Sequence, residues 1–259
     1  MFLYFRYVKH SILSQMQYRT SFVFQSIGHF IITGIEFLGI WALFARFGSL
    51  RGYSLTEVAL FYGTINTAFA FADALGRGFD VLSTQIKSGE FDRILLRPRS
   101  TILQIFGYEF TMRRIGRFAQ GVAVLTYATI SLGLHRDPLA LILITMSIFG
   151  SVLLFLGLYV IQATISFWTI ESLEIMNTVT YGGVETAQYP MSIYRTMFRR
   201  FFTFVVPLAC VTYFPLRDAI DPSGFSLIGM LAPWVGPIFF GLTMGIWKLG
   251  LRHYTSTGS

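Results

Sequence analysis

The sequence predicts an all-α polytopic membrane protein: six transmembrane helices, an N-terminal interfacial helix, a short cytoplasmic helix between spans two and three, and re-entrant helices between spans five and six. Three observations carry this. Only 13% of the 259 residues are charged, against 54% hydrophobic, and mean hydropathy is +0.60. A soluble domain carries roughly 25% charged residues, so a bilayer must solvate much of this surface. Apolar runs recur at the length of about 20 residues that a spanning helix needs. The charges gather in short stretches between those runs, as loops do.

The net charge of +7 is therefore read as membrane topology, with no nucleic-acid partner. The single cysteine, Cys210, excludes an internal disulfide and a cysteine metal cluster. The first twenty residues lack the order of a cleavable signal peptide, so the first span is expected to persist. One membrane domain, 1–259, is expected.

Residues 1–20 place Phe5, Val8, Ile12 and Met16 at helical spacing, with Arg6, Lys9 and Gln17 elsewhere around the helix. That pattern suits a helix lying in the membrane interface, or an extended start to the first span. Span one is expected over about Phe22–Phe47, with His29 and Glu36 on one face. Lipid exposure of that face is costly, so it should meet protein or water, as a packing contact or a transport residue. Span two, about Leu55–Asp80, has a centre of small residues (Ala68, Ala70, Ala72, Ala74) that permits close helix approach, and it carries Asp73.

The polar stretch 83–100, STQIKSGEFDRILLRPRS, follows. Ser88 and Gly89 open a short helix that Pro98 ends. Glu90 and Asp92 sit at its positive end, and Arg93 and Arg97 at its negative end. Phe91, Ile94 and Leu95 give it one apolar face. It reads either as a solvated loop on headgroups or as a partner-docking helix.

Span three is expected over about Gln104–Leu134, with Glu109, Arg113 and Arg117 stacked four apart and the basic side chains, Arg114 among them, reaching for headgroups. Span four runs uncharged from Pro138 to Ile170 and should break near Ser166–Glu171. Span five, about Ser172–Gln188, is polar and carries Glu174 and Glu185. The stretch 189–218 holds Pro190, Pro207 and Pro215, which favour broken, re-entrant or interfacial helices over one full span. The last span, about Phe225–Trp247, is followed by Lys248, Arg252 and His253.

Orientation follows from counting. Arg77–Arg117 holds eight Lys/Arg, while the Arg46–Glu57 and His135–Pro138 turns hold three between them. The positive-inside rule then puts 83–100 and both termini in the cytoplasm, and Arg195, Arg199 and Arg200 outside.

The chemistry of catalysis is missing. His10, His29, His135 and His253 fall in different places by this topology, so no metal site is expected. There is no catalytic triad spacing and no GxxxxGK[ST] phosphate loop, so no catalytic residue is assigned.

The segment KSGEFDRILLRPRS resembles the cytoplasmic coupling-helix segment of type-2 ABC exporter permeases, through Lys87, Gly89, Glu90, Asp92, Leu95, Leu96, Pro98 and Ser100. The FWTIES run (Phe167–Ser172), Tyr189–Pro190 and VVPLACVTYFP (Val205–Pro215) resemble a bacterial subgroup of those permeases. The resemblance implies a permease in the bacterial inner membrane that pairs with a second permease, identical or paralogous, and with two cytoplasmic ATP-binding cassette ATPases. ATP and Mg would be bound by the ATPases, leaving this chain without a cofactor. The ATPase-coupling residues would be Gly89, Glu90, Phe91, Asp92, Ile94, Leu95 and Arg97. Glu36, Asp73 and Glu185 would line the substrate path, with Pro190, Pro207 and Pro215 in an outer gate. The solute would be amphipathic or hydrophobic: a drug, peptide or lipid. A proton-coupled secondary carrier using Glu36, Asp73 or Glu185 is the competing reading.

Overall fold

A computed structural model describes residues 9, 11–111, 114–169, 173–221 and 226–256, without the side chains of 173 and 175. Among the described residues the fold is helical, its only β feature an isolated Leu50–Tyr53 bridge in a turn. Four helical stretches are long and apolar enough to cross a membrane: Arg19–Phe47, Leu55–Lys87, Pro138–Ile165 and Leu227–His253. A fifth arises if the pair Thr196–Val205 and Leu208–Ile220, bent by 78°, is one crossing.

Helix α1 (Arg19–Phe47) lies at the edge of the bundle and helix α2 (Leu55–Asp80) at its centre. The apolar window of the first is 17% buried, that of the stretch containing the second 83%. A capping box starts α2: the Ser54 N–H donates to Glu57 Oε2 at 2.6 Å and the Glu57 N–H donates back to Ser54 Oγ at 3.3 Å, satisfying two end groups reciprocally. Its small residues do what their pattern predicts. Ala68, Ala70 and Ala72 are buried, and Gly63 lies so close to its neighbour helix that an added Cβ would meet the Leu125 backbone nitrogen at 2.5 Å.

The polar stretch after α2 forms two short helices, α3 (Leu82–Lys87) and α4 (Glu90–Leu95). Only the second was expected, and it ends at Leu95, so Arg97 lies beyond it. Gly89 joins them at φ +71°, a left-handed conformation that only glycine adopts without strain.

Span three departs most from expectation. Helix α5 (Thr101–Tyr108) stops at extended Glu109, and helix α6 (Ile115–Ser131) begins anew. Glu109 therefore cannot stack with Arg117 along one helix, and Arg113 lies outside the described residues. Glu109 instead approaches Arg77 at 3.9 Å. The break is bonded from afar. Ser11 Oγ donates to Phe110 O at 2.8 Å, Gln15 Nε2 donates to the same oxygen at 2.5 Å, and the Phe110 N–H donates to Ser11 Oγ at 3.1 Å. Residues 11–16 are helical; 1–8 and 10 lie outside the described residues.

Helix α7 (Pro138–Ile165) starts with Asp137 as cap, its Oδ1 accepting from the Leu139 N–H at 2.9 Å, and with Pro138 at a position where a missing N–H is harmless. It ends at Ile165, just before the expected break. Helix α8 (Leu173–Ala187) has 15 residues, about 22 Å at 1.5 Å per residue, shorter than the bilayer core.

The proline-rich stretch is a chain of short pieces: a turn at Met191–Ile193, then α9 (Thr196–Arg200) continuing into a wider π-type turn (Phe201–Val205), α10 (Leu208–Val211) and α11 (Tyr213–Ile220). Pro207 marks the elbow. Pro190 precedes the first turn, and Pro215 sits in the first turn of α11, where its missing N–H disrupts nothing. A short α12 (Leu227–Leu231) leads into α13 (Val235–His253). The last helix thus runs six residues past the expected Trp247, and expected residue Phe225 lies outside the described residues.

Candidate functional site

The α3–α4 segment is anchored by its own apolar face. Phe91 is fully buried and Ile94 is 6% exposed. The Phe91 ring lies 5.0 Å from Tyr254 and 5.5 Å from Phe167, centroid to centroid. Phe167 in turn meets Trp247 at 5.1 Å, and Trp247 meets Phe79 at 5.7 Å. One aromatic cluster thus ties α4 to the end of α2, the turn after α7 and the end of α13. This corrects the expected docking face. The i, i+3, i+4 pattern of Phe91, Ile94 and Leu95 is real, but its first two members face the protein's own core. Leu95, 37% exposed, and Leu96, 85% exposed, are the apolar residues that remain outside.

Polar contacts fix the segment further. The Tyr254 hydroxyl donates to Asp92 Oδ1 at 2.9 Å, and Ser256 Oγ donates to Asp92 Oδ2 at 2.7 Å. The Tyr108 hydroxyl donates to Glu90 Oε2 at 3.0 Å. Gln104 Nε2 donates to the Ile94 carbonyl at 3.2 Å, satisfying an end group of α4. Burial, then the bond to Asp92, raises the Tyr254 hydroxyl to about 12. Arg93, Arg97 and Arg99 are exposed beside Leu96. The outward surface of the segment is therefore a leucine pair flanked by cations, held on a rigid base.

A second polar constellation crosses the bundle interior. Asp73, 2% exposed, accepts from Arg114 Nε at 2.9 Å on one oxygen and from the Tyr159 hydroxyl at 2.8 Å on the other. Arg114 also donates to the Tyr181 hydroxyl at 3.2 Å. Arg117 Nε donates to Asn66 Oδ1 at 2.8 Å, and its guanidinium lies 5.0 Å from the Phe69 ring centroid. Both arginines were expected to reach outward; instead they turn inward, because α2 offers a carboxylate, an amide oxygen and an aromatic face there. A cavity of about 150 Å³ lined by His29, Asp73, Arg77, Thr111 and Arg114 adjoins the pair.

The other two acids sit elsewhere. Glu36 and Glu185 are exposed on the single chain, yet close enough that each acts electrostatically on Arg117 and Glu36 acts on Glu185. Glu36 and Glu185 therefore share a face of the bundle, while Asp73 is committed to Arg114. Among the described residues no three His, Cys, Asp or Glu side chains gather as a metal site would require.

The elbow lies at the opposite end of α2 from α4. Tyr213 stacks on Phe61, near the start of α2, with centroids 6.3 Å apart, and Arg51 Nη1 donates to the Ser192 carbonyl at 3.4 Å. Helix α2 has 26 residues, about 39 Å at 1.5 Å per residue, enough to separate the two ends by a bilayer core.

Sequence reasoning missed Tyr254, Phe167, Gln104, Tyr108 and Arg114 as parts of these constellations. Phe167 belonged to a run singled out for resemblance, and Arg114 read as a side chain reaching for headgroups; the others carried no local signal. A family model described as ABC-2 family transporter protein matches residues 30–258. No curated protein and no solved structure matches the chain.

Proposed function

The chain belongs to the ABC-2 family of transporter proteins, and on that premise we propose that it is the permease half of an ATP-driven exporter for an amphipathic or hydrophobic solute. Membership makes it a multi-pass membrane subunit that works with ATP-binding cassette subunits. Segment 83–100 is the coupling element, and the exposed Leu95–Leu96 pair with Arg93 and Arg97 is the surface an ATPase grips. The observation that carries this is the rigid mounting of that surface. Phe91 is locked against Phe167 and Tyr254, so a push on α4 moves the ends of α2, α7 and α13 together.

In this reading the chain crosses six times, with α5 and α6 as one broken third span and α8 as a short fifth. Both termini face the cytoplasm of a bacterial cell, in its inner membrane. Residues 189–218 enter and leave from the outer side as a gate, with Pro190, Pro207 and Pro215 at its turns. A charge facing lipid is expensive, so the exposed Glu36 and Glu185 call for cover. A second permease supplies it, and the path runs between the two copies along that face. Asp73 supports packing of the bundle rather than transport, because Arg114 and Tyr159 occupy both its oxygens. The same pairing weighs against a proton-coupled carrier.

The test is reconstitution in vesicles with a co-purifying ATPase. Solute movement should require ATP and persist when the proton gradient is collapsed. Movement that continues without ATP and stops with the gradient would replace this reading by the carrier.

A further inference from the structure

The bent pair Thr196–Val205 and Leu208–Ile220 encloses, between its arms, a cavity of about 400 Å³. That lies within the roughly 300–1,000 Å³ of small-molecule sites. Arg199, Arg200, Thr203 and Phe204 line it from the first arm, and Ala209, Tyr213, Phe214 and Arg217 from the second, together with Met191 from the preceding turn. Arg199 with Thr203, Arg200 with Phe204 and Tyr213 with Arg217 each stand four residues apart along their arm.

The order along each arm matters more than the list of residues. The arms meet at Val206–Pro207. Phe204 and Ala209 sit next to that vertex, whereas Arg199, Arg200 and Arg217 sit at the far ends. The cavity is therefore graded, with cations at its mouth and aromatic and aliphatic side chains toward its apex. Arg217 lies 3.5 Å from Asp218 Oδ1, a contact shared with a carboxylate whose other oxygen accepts from the Ser226 N–H and hydroxyl. Among the described residues neither Arg199 nor Arg200 forms an ion pair. Of the three arginines at the mouth, only Arg217 has an ion-pair partner among the described residues, so the mouth presents guanidinium groups. The outside of the elbow is apolar: Met197 is 87% and Val205 61% exposed.

We propose that this elbow cavity binds a phosphate-headed amphiphile of the bilayer that carries net negative charge, with Arg199, Arg200 and Arg217 around the phosphate and Phe204, Tyr213 and Phe214 against its chain. Guanidinium forks match phosphate oxygens in pairs, and several from two helices can converge on one tetrahedral anion. A free phosphate would use the mouth alone and leave the aromatic apex unfilled. An anionic lipid uses both, and the apolar outer face of the elbow brings it within reach of lipid. The site is independent of which solute is exported.

The full chain, purified in neutral detergent, is examined by native mass spectrometry with added phosphatidylglycerol, phosphatidylcholine or inorganic phosphate. Phosphatidylglycerol should be retained selectively, and less so as salt is raised, because salt screens the arginines. Replacing Arg199, Arg200 and Arg217 singly by Gln should weaken retention about tenfold each. Replacing all three by Lys should keep the charge preference but lower affinity. Phe204→Asn, at a largely exposed position that the core does not need, should weaken long-chain but not short-chain lipid. Equal retention of phosphatidylcholine, or wild-type retention by the three Gln variants, would overturn the site. Inorganic phosphate displacing the lipid at equal concentration would overturn the amphiphile in favour of a free oxyanion.

Discussion

Phe91→Ala separates anchoring from docking in the α4 segment. The ring is fully buried between Phe167 and Tyr254, and its removal leaves a cavity roofed by a six-residue helix. Truncating a buried Phe to Ala costs about 3–5 kcal/mol. A helix this short cannot absorb that loss by repacking, so it should detach while the bundle stays folded. Local opening of residues 82–97 should then rise by roughly two to four powers of ten. Hydrogen exchange in detergent reads this directly: amides of Glu90–Leu95 should lose protection while those of Leu55–Asp80 keep theirs. Affinity for an ATPase should fall in proportion to the remaining ordered fraction. Leu96→Ala is the control, since Leu96 is 85% exposed and its truncation should leave exchange unchanged. Wild-type protection of α4 in the Phe91→Ala protein would refute the anchor.

Tyr254 gives the same latch a pH dependence. Its folded value, about 12, exceeds the usual value near 10, so the folded chain keeps a proton the unfolded chain loses; the stabilisation is whole below pH 10 and is lost toward pH 12. Exchange of α4 should therefore accelerate over that window in the wild type and much less in Tyr254→Phe. Asp73→Asn leaves the half-buried Arg114 without its counter-charge; removing one partner of a fully buried pair costs about 3–5 kcal/mol and of this one somewhat less, so the thermal midpoint in detergent should still drop clearly, and an unchanged midpoint would mean the pair holds nothing together. Gly63→Val forces α2 off Leu125, whereas Gly28→Val, with open space around it, should melt like the wild type.

What the sequence made legible was local. Helix α2 matches its expected bounds because its apolar run and small-residue centre are properties of neighbouring residues. The bend in 189–218 was foreseen from Pro207, since proline acts on its own turn. Pairings between distant residues were not readable. The apolar stripe of α4 says that something covers Phe91, but not that the cover is Phe167 and Tyr254 from far along the chain. The break at Glu109–Thr111 depends on Ser11 and Gln15, which donate to Phe110 across the fold. Without that knowledge Glu109, Arg113 and Arg117 read as one continuous helix face. Arg114 and Arg117 carried the signature of side chains reaching for headgroups. Only the positions of Asp73, Asn66 and Phe69 on the adjoining helix turn them inward. The three acids looked equivalent in sequence, and partners alone distinguish Asp73 from Glu36 and Glu185.

The central claim is that the outward face of α4 is where an ATP-binding cassette subunit holds this chain. Leu96→Glu tests it most directly, because the side chain is exposed and its replacement leaves the Phe91 anchor intact. Co-purification of the ATPase with the full-length protein should be lost or severely reduced, with the thermal midpoint and the exchange protection of α4 unchanged. Undiminished co-purification of the ATPase with that variant would contradict the account.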